Sequence, residues 1–192
     1  KSLKKTLIFL ENIFNEANLP YLIVKTFKYI DYITFDVDFL VPYNLFDKAQ
    51  NVLRKHGAVI KPHPRKQGLH QRNCFKKGLL KMDLHRKFFW QGIEHIDLDF
   101  VWENIQKRKI AGIYCPCPSL EADFILHNKQ LVYERYYITF LDFITIKKIY
   151  QERELNWDSI VREVKKYRWK NSFNRLVQHS NSFHYSPFGL PL

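Results

Sequence analysis

The chain has 192 residues, 46% hydrophobic and 16% aromatic, which excludes a disordered chain and suffices for one core with or without an appendage. No apolar run approaches the length of a membrane-spanning helix and no secretion leader is visible, so no membrane partner is expected. The formal net charge of +12 points toward polyanionic partners.

Residues 3–18 carry Leu3, Leu7, Leu10, Ile13, Phe14 and Ala17 at helical spacing, an apolar stripe suited to packing on a sheet. Asn18-Leu19-Pro20 stops that helix. Leu22-Ile23-Val24 is a short strand ending in Lys25-Thr26-Phe27-Lys28, a turn with one hydroxyl and two ammonium groups. The next strand, Phe35 to Val41, is apolar except for Asp36 and Asp38. Residues two apart on a strand share a face, so these carboxylates project together. Like charges so placed repel, and a divalent cation with a taste for hard oxygen ligands, Mg²⁺ or Mn²⁺, relieves the repulsion. The plainer alternative is one carboxylate in water and one paired with a lysine.

Pro42-Tyr43-Asn44 breaks the strand, with Asn44 the expected N-cap of a helix over Leu45, Phe46, Ala49, Val52 and Leu53 that Gly57 ends. A hairpin is predicted with strands over 69–75 and 79–85 across Lys76-Lys77-Gly78. Asp83 interrupts its second strand and is a third acidic position in an otherwise apolar run. Residues 61–90 hold nine basic side chains, including Arg65, Lys66, Arg72, Lys76 and Lys77, against Asp83 alone, a net of +8. Such a field suits a nucleoside triphosphate, a nucleic acid such as RNA, or both; a solvated surface is the plainer account.

In 87–110, Ile96, Leu98 and Phe100 alternate with Asp97 and Asp99, yet a short helix over 100–105 fits equally well. Asp97 and Asp99 rank below Asp36 and Asp38 as a metal pair, because no acidic partner strand accompanies them. A strand is expected over 110–114. Cys115-Pro116-Cys117-Pro118 is too closely spaced for a zinc half-site and reads as a stiff connector with reduced thiols, which fits a cytoplasmic protein. From Ser119, an N-cap with Glu121 and Asp123 in the first turn, the pattern turns helical. Further helices are expected from about Thr139, after the cap Asn156, and near Trp169. His127 fits a core histidine or a base or ribose contact. Arg135, among Tyr133, Tyr136 and Tyr137, fits a phosphate contact or packing. Three parts are expected: an α/β core over 1–114, a helical part over 115–180 and an irregular tail over 181–192.

The pieces Leu22-Ile23-Val24-Lys25, Asp36-Val37-Asp38-Phe39-Leu40-Val41, His56-Gly57-Ala58-Val59 and Met82-Asp83-Leu84-His85 occur in an order that resembles the nucleotidyltransferase superfamily of the DNA polymerase β type. Within it, the chain is most similar to uncharacterised bacterial and archaeal nucleotidyltransferase-like proteins. The stretch 119–142, with His127, Arg135 and Asp142, resembles the helical part of that group, and the likeness covers most of 10–165. It implies a small mixed sheet with flanking helices and transfer of a nucleoside monophosphate from an NTP to a hydroxyl, RNA among the candidate acceptors. It also implies that Asp36, Asp38 and Asp83 hold two Mg²⁺ or Mn²⁺ ions, while Lys25, Thr26 and Lys28 contact the nucleotide's phosphates. His85, on the strand face of Asp83, fits a phosphate or acceptor contact or a hydrogen bond to a carboxylate, and Arg135 is a further candidate nucleotide contact. One departure stands. The superfamily has Gly-Ser or Gly-Gly after its first strand, where bare backbone approaches phosphate; this chain has Lys25-Thr26. Two rival readings follow: a non-catalytic binding module, or a nuclease using the same acidic cluster.

Overall fold

The computed structural model describes residues 2–25, 34–62, 70–90, 93–134, 139, 141–142, 144–147 and 155–182. Five short strands form the main sheet: β1 (Leu22–Ile23), β2 (Asp36–Leu40), β3 (Val59–Pro62), β4 (Gln71–Phe75) and β5 (Lys81–His85), in the order β1-β2-β5-β4-β3. β2 and β5 are parallel and the other pairs antiparallel, so the mixed α/β sheet expected from the sequence is present.

Alternation along β2 decides which side is dry. Val37 and Phe39 point into a core with Met82 and Leu84 of β5, covered by α1 (Ser2–Glu16) through Leu7, Leu10, Ile13 and Phe14 and by α2 (Phe46–Lys55) through Phe46 and Leu53. The opposite face of the same strands carries the acidic positions. A second apolar cluster joins Leu22, Val24, Leu40 and Phe88 to the C-terminal helices. These are α4 (Leu120–Lys129), α5 (Trp157–Lys166) and α6 (Lys170–Ser182); α3 (Leu98–Trp102) lies before them, and 141–142 and 144–147 are also helical. The helical part thus packs over one end of the polar face of the sheet.

Two of the three expected N-caps form. The Ser119 hydroxyl accepts from the Ala122 N–H at 3.2 Å and the Asn156 side chain from the Ser159 N–H at 3.1 Å. Gly57 takes φ +79° just past α2. Three expectations need correction. Asn44 does not cap α2; a 3₁₀ turn over Tyr43–Leu45 feeds the helix directly. After the short pair β6 (Phe89–Trp90) and β7 (Ile93–Glu94), the strand expected over 110–114 is the hairpin β8 (Gln106–Ile110) and β9 (Ile113–Cys117), turning at Ala111-Gly112, both with positive φ. The Cys-Pro-Cys run is therefore strand, not connector. All three thiols are buried and free, and burial pushes Cys115 up to about 11 and Cys117 up to about 12, which keeps them protonated. Among the described residues no helix is long and apolar enough to cross a membrane.

Candidate active site

The β2/β5 register sets Asp36 beside Lys81, Asp38 beside Asp83 and Leu40 beside His85. Period two then gathers Asp36, Asp38, Lys81, Asp83 and His85 on one face of two adjacent inner strands. Lysines hold the carboxylates. Lys25 Nζ lies 2.9 Å from Asp38 Oδ1, and Lys81 Nζ lies 2.8 Å from Asp83 Oδ2 and 3.3 Å from Asp36 Oδ2. His85 Nε2 is 2.6 Å from Asp38 Oδ1; a carboxylate only accepts, so that nitrogen carries the hydrogen.

Asp38, Asp83 and His85 titrate differently. Burial alone disfavours the charged form of Asp38, but the Lys25 ammonium and the His85 ring outweigh it and hold the carboxyl well below the usual range. Asp83 goes the other way: burial raises its pKa, the Lys81 hydrogen bond opposes, and the Asp38 charge adds to the rise. Burial and the Lys25 charge lower His85 against the pull of Asp38, so the ring is neutral near pH 7.

One oxygen of this cluster is unpaid in hydrogen bonds. Asp83 Oδ1 is buried with no partner among the described residues, and so is the Oδ1 of Asn73, its register partner on β4. Two buried acceptors on paired positions call for a cation or a donor. Three carboxylates and an amide oxygen form a hard, all-oxygen donor set of the kind magnesium and manganese take, so the residues fit such an ion by chemistry. Among the described residues no three acidic, thiol or imidazole groups are placed together to hold a metal ion as the side chains stand, and lysine ammoniums engage all three carboxylates.

Beside His85 opens a small pocket of about 40 Å³ lined by Lys25, His70, Gln71, His85, Lys87, Phe88, Phe89 and Lys129. Three lysines and two histidines line it, with no acidic residue in the lining. Lys129, from α4, is buried, and His70 stacks on Phe89 with ring centres 4.1 Å apart. Burial and the Arg86 and Lys87 charges lower the His70 pKa, so it enters as a neutral ring. Lys25 itself sits at φ +55°, the left-handed region that favours glycine. The chain turns here as a glycine would, while the Lys25 side chain reaches Asp38.

The other anticipated residues scatter. Thr26, Lys28, Arg65, Lys66 and Arg135 lie outside the described residues. Arg72 lies over the Phe46 ring at 5.5 Å, Lys76 donates to the His56 carbonyl at 2.7 Å, and Lys77 sits in the exposed β4–β5 turn. Asp97 is the N-cap of α3, accepting from the Asp99 N–H at 3.0 Å and paired with Lys166, so the Asp97-Asp99 pair is a cap. His127 Nε2 lies 3.6 Å from Asp142 Oδ1, and Asp142 accepts from the Thr139 hydroxyl at 2.6 Å. Sequence reasoning overlooked Lys81, Asn73, His70, Lys87 and Lys129. Lys81 was within reach, since it lies two before Asp83 on the same strand face; Lys129 was not, since only helix packing brings it to the pocket.

The chain belongs to the family described as uncharacterised nucleotidyltransferase, whose model matches residues 34–183. Its fold is similar to the lincosamide antibiotic adenylyltransferase LnuA in its lincomycin-bound crystal structure, at TM-score 0.56 and 15% identity over 80% of this chain and 100% of that one. It is also similar to ANT(2'')-Ia, an antibiotic-resistance factor, in a solution structure (TM-score 0.56, 14% identity, 92% of this chain and 96% of that one). A crystal structure of ANT(2'')-Ia with adenylyl-2''-tobramycin gives TM-score 0.57 and 12% identity over 90% of this chain and 97% of that one. At such identities the likeness is one of fold. No curated protein sequence matches the chain.

Proposed function

We propose that the protein transfers a nucleoside monophosphate from an NTP to a hydroxyl acceptor, with Asp36, Asp38 and Asp83 holding Mg²⁺ or Mn²⁺. The observation that carries this reading is the β2/β5 register, which sets Asp38 beside Asp83 with Asp36 on the same face. Bound there, divalent cations supply charge neutralisation for the phosphates and a lowered pKa for the acceptor hydroxyl. The chain's own part is positioning. Asp38 is fully ionised at neutral pH, and His85 fixes the oxygen that Lys25 also contacts. The pocket of Lys25, Lys87 and Lys129 offers the triphosphate a site of matching charge and the neutral His70 ring gives it a donor, while His85 lines the same pocket with its Nε2 hydrogen committed to Asp38. Lys28, Thr26 and Arg135 belong to the same proposal as further nucleotide contacts. Residues 1–114 serve as the catalytic core, and 115–180 close the nucleotide pocket through Lys129.

The acceptor is an alcohol. The neighbours' small antibiotic acceptors favour a compact polyhydroxyl molecule, while Arg65, Lys66, Arg72, Lys76 and Lys77 form the surface that an RNA acceptor would use. A second reading, a non-catalytic nucleotide-binding module, draws support from Lys25 in the glycine-like turn and from lysines on all three carboxylates.

The test is a thermal-shift and transfer assay with each ribonucleotide and Mn²⁺. Nucleotide and metal together should stabilise the chain more than either alone, since a ligand at 100 times its Kd adds about 2.7 kcal/mol. Label from the α-phosphate should reach an acceptor or water. Asp38→Asn should lose both responses, whereas Asp83→Asn should keep most nucleotide affinity and lose transfer. Stabilisation without transfer selects the binding module; no shift with any ribonucleotide rejects both readings.

A further inference from the structure

On the metal-dependent reading above, on which this rests, we propose that Lys81 is an internal counter-ion that fills the carboxylate face before metal arrives and has to leave Asp36 and Asp83 for a divalent cation to bind. The ammonium bridges two of the three carboxylates, at 2.8 Å from Asp83 Oδ2 and 3.3 Å from Asp36 Oδ2. Its place is dictated by the backbone: it is the register partner of Asp36 and lies two residues before Asp83, so period two sends its side chain to the same face. An ammonium and a divalent cation compete for the same oxygens, and two cations at contact distance repel. One ammonium does not finish the job. It engages only Oδ2 of Asp83, and Oδ1 stays buried without a partner among the described residues.

Exposure separates the two lysines of the site. The Lys81 side chain keeps 34% of its surface in water and the Lys25 side chain 12%. Lys81 therefore has an open route outward, while Lys25 is enclosed against Asp38. Lys81 makes the free carboxylate face stable without metal, and binding exchanges one internal charge for a stronger external one. The apparent metal affinity then carries the cost of displacing that lysine, a cost that removing the ammonium abolishes.

The test titrates Mn²⁺ alone, without nucleotide, into the full chain by calorimetry, comparing wild type with Lys81→Met and with Lys87→Met. Lys87 is the control, a nearby cation paired with Glu94 at 2.8 Å that contacts none of the three carboxylates among the described residues. Lys81→Met should bind Mn²⁺ roughly tenfold tighter and Lys87→Met within about twofold of wild type. Equal tightening in both variants shows a general field effect and overturns the proposal, as does unchanged or weaker binding in Lys81→Met. Absence of Mn²⁺ binding in all three proteins removes the metal-dependent reading itself. A second measurement needs no variant: acetylation of Lys81 in wild type, followed by mass spectrometry, should quicken on adding Mn²⁺ while that of Lys87 does not. Slower or unchanged Lys81 labelling in Mn²⁺-saturated protein also overturns it.

Discussion

Two carboxylate sites among the described residues, one at the β8–α4 junction and one on the sheet, differ in whether their hydrogen bonds close. At the junction of β8 and α4, Arg108 Nη1 donates to Asp123 Oδ2 at 2.5 Å and Nη2 to the Pro118 carbonyl at 2.7 Å. Both side chains are less than a tenth exposed, and neither is among the buried groups left without a hydrogen bond. On the sheet, three carboxylates meet two lysines, and Asp83 Oδ1 and Asn73 Oδ1 remain without partners beside a basic pocket. The first cluster is a clasp that fixes the hairpin to the helical part. The second is unfinished within the chain, which is what a site that binds an ion and a polyanion requires.

The sharpest way to break this contrast is Asp38→Asn. If the sheet cluster is the functional one, kcat for transfer should fall by on the order of 10³ or more, several kcal/mol of lost transition-state stabilisation. Circular dichroism should show the fold retained. Arg108→Met should do the reverse. Removing the Arg108 partner of buried Asp123 should cost about 3–5 kcal/mol in urea unfolding, and Arg108→Met with Asp123→Leu should recover most of it. A clasp variant that folds as well as wild type would erase the distinction.

Smaller effects sharpen it. Lys129→Met should raise the KM for NTP about tenfold with little change in kcat, because a buried ammonium in the pocket binds ground and transition states alike. Asp83 tests the electrostatics of the metal-free site. Its folded pKa lies above its unfolded value, so the charged form is disfavoured by folding. Its contribution to stability therefore falls as pH climbs from about 4 through the folded pKa, and the full penalty stands above that. Asp83→Asn should remove this slope and melt at or above the wild-type temperature at pH 7. Asp38 has the opposite sign: its pKa is depressed, so its stabilisation stands above about pH 4 and is lost only as pH drops toward the folded value. Lys76→Ala should be the mildest, about 1 kcal/mol, since Lys76 caps the last turn of α2 through the His56 carbonyl.

What the sequence determined by itself was written in local spacing, although the Asn44 cap and the Cys-Pro-Cys connector, local readings too, did not form. The apolar stripe of α1, the caps at Ser119 and Asn156, the turn at Gly57 and the shared face of Asp36 and Asp38 all depend on residues within a few positions of one another. The ordered acidic strands sufficed for the family, and a likeness of whole-chain pattern for the α/β class. Asp97-Leu98-Asp99 shows the limit, since the same D-x-D spacing served as a helix cap once Lys166 and Glu163 came within reach. Tertiary structure alone decided the pairing of β2 with β5 across 40-odd residues, and with it the meeting of Asp38 and Asp83. It also decided that Lys81 bridges two carboxylates, that Lys129 enters the pocket from α4, and that Arg108 closes on Asp123. The physical reason is that register and helix docking are fixed by burying apolar surface between distant segments, and side chains on the polar side are carried to their partners by that burial rather than by their own preferences.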